Sequence, residues 1–351
     1  MNNEVVAIGT YTNYVGNAPN ANGKGIIFLS LNRDNGQLTE LNSHYIINPS
    51  YLSWSKDDKK LYCCTETEEG TGQVLNFVLD KQYNLKPINK SNNIGSALCF
   101  ITKPDNKGTM FAASYRDGMI YKISQDSNSF NIDYEHKYSG KGPNIERQES
   151  PHAHQVVRHP NNDFIYTCDL GSDKVWIDKG TNNTPTDDNY FETPPGYGPR
   201  HLTFDSRGEY AYILCELKPR LLVAEVNSTN GKLKLINDYP STKHDTLDLA
   251  APAGIKLHPS GKTVAVSNRV VNTISIFKIV DNTLTLLTEF ESKGDHPRDI
   301  NFTKDGDWLL IGNQDSNTIE PRAFYIESGE PKPNWGPSYI LETPACLITI
   351  D

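Results

Sequence analysis

The sequence repeats one pattern along most of its length, and this repeat limits the possible folds more than any other feature. Each copy contains a small residue or proline, a short strand, a turn rich in Asp, Gly, Lys and Pro, and an apolar strand that ends in polar residues. PSYLSWSKDDKKLYCCTE from Pro49 and PAGIKLHPSGKTVAVSNR from Pro252 are two of the copies. The copies begin at positions 49, 97, 153, 199, 252, 297 and 344, at intervals of 45 to 56 residues. Such a period, with about four short strands in each unit, is typical of a β-propeller blade.

The seventh copy is incomplete, because PACLITID from Pro344 supplies only one strand. The N-terminal segments VVAIGTY and GKGIIFLSLNRDNGQLTELN resemble the strands that this copy lacks. A blade assembled from both ends of the chain would leave no loose edge in the ring. We therefore predict an all-β, seven-bladed propeller that forms a single domain over residues 1–351. Its last blade would be closed by N-terminal strands pairing with the C-terminal strand.

Two insertions interrupt the repeat. They span Ser139–Ser150 (SGKGPNIERQES) and Gly180–Gly198 (GTNNTPTDDNYFETPPGYG), and their composition predicts loops. Long loops in compact folds often carry function, so both insertions are candidates for contributing to a site.

Composition excludes several classes of partner. With 34 Lys and Arg against 43 Asp and Glu, the net charge of −9 argues against nucleic-acid binding, although a few local arginines could still bind a small anion. The start, MNNEVVAIGTYT, lacks the basic and apolar segments of a signal peptide, so we expect a cytoplasmic protein. No apolar run is long enough to cross a bilayer, so we expect no membrane partner. The six cysteines show no CxxC spacing and are expected to be reduced and buried, and no pattern indicates the oligomeric state.

Two positions of the repeat carry an unusual set of polar residues. The first position lies one residue after the start of each copy, and the second lies seventeen residues after the same start. Because the start of an inner strand and the end of its antiparallel neighbour lie at the same edge of a blade, both positions should face one mouth of the channel. The charged and amide residues at these positions are His154, Arg200, Arg298, Glu66, Glu216, Arg269 and Gln314. Tyr115, which follows a one-residue insertion in its copy, and Tyr11 are expected to complete the second ring. The set fits either a hydrated, salt-bridged rim or an anion-binding acid–base site, since the arginine fork binds carboxylate and phosphate well.

Other chemistries find little support. His152 and His154 lie two residues apart with His159 nearby, but further ligands are not identifiable, so we predict no metal site. The Asp169–Asp173 segment is interpreted as a turn rather than a cation loop. The sequence contains no GxSxG, Walker A or GxGxxG motif, so we predict neither a serine nucleophile nor any cofactor.

Several longer strings point to a known family. They include IGTYT near the start, SPHAHQVVRHPNNDFIYTCDLGSDKVW, GYGPRHLTFDSRGEYAYILCEL, APAGIKLHPSGKTVAVSNR and GDHPRDINFTKDGDWLLIGNQDSNTI. Over essentially its whole length, the chain resembles the propeller lactonase family, which includes bacterial 6-phosphogluconolactonases and fungal carboxy-cis,cis-muconate cyclases.

The resemblance implies a function and a set of site residues. The family's active-site His, Glu and two Arg correspond here to His154, Glu216, Arg200 and Arg269, all within the two repeat positions. The implied activity is hydrolysis of a sugar-acid lactone, above all of 6-phosphogluconolactone to 6-phosphogluconate in the pentose phosphate pathway. The implied partner is thus a small anionic lactone. A carboxymuconate-type cyclase and a non-catalytic binding propeller remain alternatives. The remaining rim residues are interpreted as substrate-binding: Arg298, Gln314, Glu66, Tyr115 and Tyr11.

The catalytic base is expected to be either His154 or Glu216. Neighbouring arginines lower the pKa of both groups, which weakens a carboxylate as a base but keeps an imidazole neutral. We therefore favour His154 as the base and Glu216 as a residue that orients arginine or water.

Overall fold

The computed structural model describes residues 3–68, 70–126, 129–179, 187–244 and 249–350. Within these ranges the regular secondary structure consists entirely of strands. The strands form seven sheets arranged as the blades of a propeller. No helix in the described ranges is long and apolar enough to span a membrane. The prediction of an all-β propeller with seven blades is therefore confirmed.

Blades 1 to 6 are numbered by the copies of the repeat, and the seventh is called the closing blade. The closing blade begins with β1 (Asn3–Thr10), β2 (Ile26–Asn32) and β3 (Leu38–His44). Blade 1 contains β4 (Tyr51–Ser55), β5 (Lys60–Cys64), β6 (Val74–Leu79) and β7 (Leu85–Lys90). Blade 2 contains β8 (Leu98–Ile101), β9 (Thr109–Ser114), β10 (Met119–Gln125) and β11 (Phe130–Lys137). Blade 3 contains β12 (Ala153–Arg158), β13 (Phe164–Asp169), β14 (Lys174–Lys179) and β15 (Tyr190–Glu192).

The remaining strands complete the ring. Blade 4 contains β16 (Pro199–Phe204), β17 (Tyr210–Cys215), β18 (Arg220–Val226) and β19 (Leu233–Pro240). Blade 5 contains β20 (Pro252–Leu257), β21 (Thr263–Asn268), β22 (Thr273–Val280) and β23 (Thr283–Glu291). Blade 6 contains β24 (Pro297–Phe302), β25 (Trp308–Asn313), β26 (Thr318–Phe324), β27 (Pro331–Trp335) and β28 (Tyr339–Ile340). The final strand, β29 (Pro344–Ile350), belongs to the closing blade.

The closing blade joins the two ends of the chain, as predicted. Strand β1 pairs antiparallel with β2 on one side and with β29 on the other. In the second pairing Val5 lies opposite Ile350 and Gly9 lies opposite Cys346. Strand β29 is thus the innermost strand of its blade, and it contacts the inner strands β24 and β4 of the two neighbouring blades. The seam of the ring is held by a full strand pairing.

One of the two insertions is not entirely a loop. Within the described part of Gly180–Gly198, strand β15 pairs with β14 and forms the outermost strand of blade 3, so the prediction of a continuous loop is wrong there. Residues 180–186 of this insertion lie outside the described residues. Ser139–Ser150 contains no strand, as predicted.

Neighbouring blades pack through apolar side chains between their sheets. Between blades 3 and 4, for example, Tyr166 on β13 meets Phe204 on β16 with 5.2 Å between ring centroids. Both rings are buried, and burial of such aromatic and aliphatic surface is the main force that holds blades together. All six cysteines are buried and unpaired, as expected.

Two histidines that follow inner strands add polar contacts between blades. The Nε2 atoms of His159 and His258 lie 2.7 and 2.9 Å from the carbonyl oxygens of Gly208 and Gly306 in the next blade. Both glycines adopt a positive φ, and a Cβ on either would approach the histidine ring to within 2.7 and 2.3 Å. Glycine is therefore required there both for backbone conformation and for space.

We expect that His258→Ala lowers the free energy of unfolding by about 2–4 kcal/mol, because it leaves the buried Gly306 carbonyl without its donor and opens a cavity. Urea denaturation of the purified protein measures the change. Lys262→Ala on the same turn is the control, since its exposed side chain should change stability by less than about 0.5 kcal/mol. Equal unfolding midpoints for the two variants would contradict the role of His258.

Candidate active site

A cavity of about 440 Å³ opens at one mouth of the central channel. Seven of the nine side chains predicted for the rim line it: Glu66, Tyr115, His154, Arg200, Glu216, Arg269 and Arg298. The other two lie directly behind the lining. Tyr11 donates a hydrogen bond from its hydroxyl to Glu66 Oε2 at 2.7 Å, and Gln314 Nε2 donates to the backbone oxygen of Asn17 at 2.8 Å.

The backbone explains why three of these side chains face the channel. His154, Arg200 and Arg298 are each the second residue of an inner strand, and the pairing register of all three strands shifts at that residue. Such a β-bulge leaves one residue without a partner and turns its side chain out of the regular alternation. Glu216 and Arg269 immediately follow the ends of β17 and β21, which lie beside the inner strands. The two repeat positions therefore meet at one rim.

Glu216 lies at the centre of an ion-pair cluster. Its Oε2 atom lies 2.9 Å from Arg269 Nη2 and 3.0 Å from Arg200 Nε, although the second N–H is not aligned for a hydrogen bond. Its Oε1 atom accepts a hydrogen bond from Arg147 Nη2 at 2.8 Å. Burial alone would raise the pKa of Glu216, but the three guanidiniums outweigh burial and hold that pKa well below its ordinary value. Glu216 is therefore ionised and fully engaged at neutral pH.

The guanidiniums of Arg200 and Arg269 are fixed by backbone carbonyls as well. Arg200 Nη1 donates to Ala253 O at 2.6 Å, and Arg269 Nε donates to Ala251 O at 2.9 Å. Burial, together with the neighbouring arginines, lowers the pKa of Arg200 to about 10, so this side chain is still charged at neutral pH. Both arginines are held rigidly at the base of the cavity.

Arg298 differs from the other arginines of the cavity. Its guanidinium lies over the ring of Tyr11, 5.2 Å from the centroid, and its side chain is buried. Within the described part of the chain it makes no ion pair and no side-chain hydrogen bond. Burial alone would lower the pKa of Arg298, but Tyr11 and Glu66 raise it. The cavity thus holds a buried cation whose hydrogen-bond donors are available to an anion.

His154 combines burial with a free ring nitrogen. Its ring meets Tyr115 and His201 edge to face, at 5.6 and 5.0 Å between centroids, and its Nδ1 atom is buried without a partner. Burial, reinforced by Arg200 and Arg298, lowers the pKa of His154 well below its ordinary value. The imidazole is therefore neutral at pH 7 and can accept a proton.

The other histidines considered as metal ligands do not converge on His154. His152 stacks on Tyr115, and its Nδ1 atom lies 2.9 Å from that residue's backbone oxygen, while His159 forms the contact between blades 3 and 4. No group of three or more His, Cys, Asp or Glu side chains in the described ranges could hold a metal ion.

Sequence reasoning missed four charged or histidine side chains of the cavity lining: Glu68, Arg116, Arg147 and His296. Glu68 and Arg116 form an ion pair with each other, at 3.2 Å. Arg147 lies in the first insertion, outside the repeat, so only the unusual length of that loop signalled it. His296 lies immediately before the start of a copy, and burial with the nearby arginines lowers its pKa to about 3. Five of the residues at that position share a positive φ, which turns the chain into the inner strand: Asn48, Gly198, Ala251, His296 and Thr343. A comparison of the residues before each copy would have found His296.

The seven-bladed fold agrees with comparisons to known proteins. The sequence model of a family described as "Lactonase, 7-bladed beta-propeller" matches residues 5–346. The chain belongs to this lactonase family, which confirms the predicted enzyme class, a lactone hydrolase, at the level of the family.

Relatives with more specific names cover most of the chain. The 6-phosphogluconolactonase of Bacillus subtilis is 27% identical over 315 residues, which cover 88% of this chain and 90% of that protein. The 6-phosphogluconolactonase of Formosa agariphila is 32% identical over 327 residues, with the same coverage of 88% and 90%. A crystal structure from Bacteroides fragilis, described as a candidate 6-phosphogluconolactonase, is 28% identical with a TM-score of 0.89 and covers 99% of this chain and 98% of that one.

We expect that Glu216→Gln lowers the free energy of unfolding by about 3 kcal/mol, because three guanidiniums would then face one another without their shared carboxylate. Urea denaturation measures the loss. Glu68→Gln is the matched control: Glu68 pairs with Arg116 at the exposed rim, where an ion pair contributes about 0–1 kcal/mol. If both variants lose the same small amount, the cluster does not depend on Glu216.

Proposed function

We propose that the channel mouth hydrolyses a phosphorylated sugar-acid lactone, 6-phosphogluconolactone, to 6-phosphogluconate. The main support is the charge of the cavity, whose lining holds five arginines against three glutamates. Arg116 pairs with Glu68 at the rim, and Arg147, Arg200 and Arg269 share Glu216. The fifth arginine, Arg298, is buried without a carboxylate partner in the described ranges. A multiply charged anion would neutralise this excess. The names of the Bacillus and Formosa relatives support the same substrate.

Hydrolysis needs a base, a site for the oxyanion and a proton for the leaving oxygen. In our proposal a water molecule attacks the lactone carbonyl carbon while the neutral ring of His154 takes one of its protons. The tetrahedral oxyanion forms hydrogen bonds with Arg298 and Arg200. When the ring C–O bond breaks, the proton on His154 passes to the departing oxygen and the open hydroxy acid results.

The other polar residues are assigned to positioning and binding. Glu216 keeps Arg200 and Arg269 in place and does not act as a base, because three guanidiniums occupy its oxygens. Glu66 lines the cavity and can accept hydrogen bonds from substrate hydroxyls. Tyr11 and Gln314 act indirectly: Tyr11 bonds to Glu66, and Gln314 holds the segment around Asn17.

A coupled assay tests the proposal. Purified protein is added to 6-phosphogluconolactone, and the released 6-phosphogluconate is followed by NADP reduction with the dehydrogenase that consumes it. After subtraction of spontaneous opening, we expect a kcat/KM at least about tenfold higher for this lactone than for unphosphorylated gluconolactone, because one phosphate–arginine contact accounts for that factor. Failure to accelerate either lactone, or ultraviolet-detected turnover of carboxymuconate instead, would contradict the proposal.

We expect that His154→Gln lowers kcat by about 100-fold or more and leaves KM nearly unchanged, because glutamine preserves a polar side chain but cannot act as a base. The coupled assay measures both constants. His136→Gln, on the outermost strand of blade 2, is the control and should retain wild-type kcat. Unchanged turnover in the His154 variant would rule out this histidine as the base.

A further inference from the structure

Arg147 reaches the site from outside the propeller. It lies in the loop Ser139–Ser150, between the last strand of blade 2 and the first of blade 3. Its Nη2 atom donates to Glu216 Oε1 at 2.8 Å and to the hydroxyl of Tyr115 at 3.2 Å. Its side chain is 44% exposed, whereas those of Arg200 and Arg269 are 3% and 9% exposed. Arg147 is therefore the arginine of the cluster that faces both Glu216 and the entrance.

The loop that carries Arg147 is fixed by the next residue, Gln148. This side chain is completely buried, and its Nε2 atom donates to Leu170 O at 2.9 Å and to Asp173 Oδ1 at 2.8 Å. Its Oε1 atom accepts the backbone N–H of Asn144 at 3.2 Å. A buried amide with three partners leaves the loop little freedom at this point.

Asp173 also positions Glu216, the carboxylate that pairs with Arg147. Its Oδ1 atom also accepts the N–H of Gly198 at 2.8 Å, and its Oδ2 atom accepts the N–H of Gly196 at 2.6 Å. The carbonyl of Gly198 in turn accepts the N–H of Glu216 at 2.8 Å. Hydrogen bonds from one buried carboxylate thus lead through Gln148 to Arg147, and through Gly198 to Glu216.

We infer that Asp173 is a positioning residue that sets the Arg147–Glu216 contact, and that Arg147, held in this way, selects lactones that carry an anionic group at the entrance. This inference rests on the proposed function. Arginine has several rotatable bonds, so an unanchored side chain at the surface would lose much of its binding energy to ordering. The ion pair with Glu216 orients the guanidinium, and its exposed N–H groups are left for a substrate phosphate.

The experiment compares Arg147→Met, Asp173→Asn and the double variant on phosphorylated and unphosphorylated gluconolactone. Arg147→Met should lower kcat/KM for the phosphorylated lactone by about 10- to 100-fold, the factor expected for one charged hydrogen-bonded contact, and leave the unphosphorylated lactone nearly unaffected. Asp173→Asn places an amide N–H₂ group against backbone donors and should reduce the same preference. In the double variant the Asp173 change should have little further effect on the preference for the phosphorylated lactone, because that preference acts through Arg147. Any effect of Asp173 that passes through Gly198 and Glu216 should change both lactones alike.

Two further variants serve as a replacement and as a control for this experiment. Gln148→Met removes the same anchor without touching Asp173, so it replaces Asp173→Asn if that variant fails to fold. Lys141→Met removes an exposed cation from the same loop that does not line the cavity, and it should keep the wild-type preference. An anchor variant that slows both lactones equally, or effects of Arg147 and Asp173 that simply add, would overturn the inference.

Calorimetric binding of 6-phosphogluconate and gluconate separates this inference from the proposed reaction. If the wild type opens no lactone but binds 6-phosphogluconate more tightly than gluconate, and loses that difference in the Arg147 and Asp173 variants, the reaction is wrong and the selection stands. If the wild type hydrolyses the lactone but Arg147→Met keeps the phosphate preference, the inference is wrong and the reaction stands. If the wild type shows neither hydrolysis of the lactone nor binding of 6-phosphogluconate, both the proposed reaction and the inference are wrong.

Discussion

The carboxylate of Glu216, shared by three guanidiniums, is the interaction on which the channel mouth depends. Arg200 comes from blade 4, Arg269 from blade 5 and Arg147 from the loop before blade 3, while Glu216 itself follows β17 of blade 4. Cations from three parts of the chain would repel one another strongly in a buried environment. A single anion that pairs with all of them lets the ring bring them together, and its hydrogen bonds then fix where each guanidinium points.

The propeller supplies the geometry that makes this cluster possible. Each blade presents the start of its inner strand to the same mouth, and a bulge at the second residue turns His154, Arg200 and Arg298 toward the channel. The closing pair of β1 and β29 keeps the ring continuous, so positions far apart in sequence stay at constant spacing. The rigid ring thus supports, in one cavity, a neutral histidine and an arginine that has no carboxylate partner among the described residues. These are the two features that a lactone hydrolase of the proposed kind requires.

Much of this arrangement could be predicted because propeller blades are periodic. The incomplete copy at Pro344 predicted both the number of blades and the closure, and alignment of the copies placed Glu216 and Arg269 beside the inner-strand residues. Features outside the period could not be found in this way. Arg147 lies in an insertion, and its reach to Glu216 depends on the buried Gln148–Asp173 anchor, which no repeat position encodes. Strand β15 was missed because the turn residues around its three residues are typical of a loop. Tyr11 and Gln314 occupy the predicted register, but their side chains are engaged one layer behind the cavity.

The most direct test of the proposed site is a crystal structure of the protein with 6-phosphogluconate bound. We expect the ligand in the cavity of the channel mouth, with its carboxylate bonded to Arg298 and Arg200 close to His154 and its phosphate against Arg147. A ligand bound instead in a second cavity, which is lined by Tyr51, Phe100 and Val156 of the inner strands, would contradict the proposal.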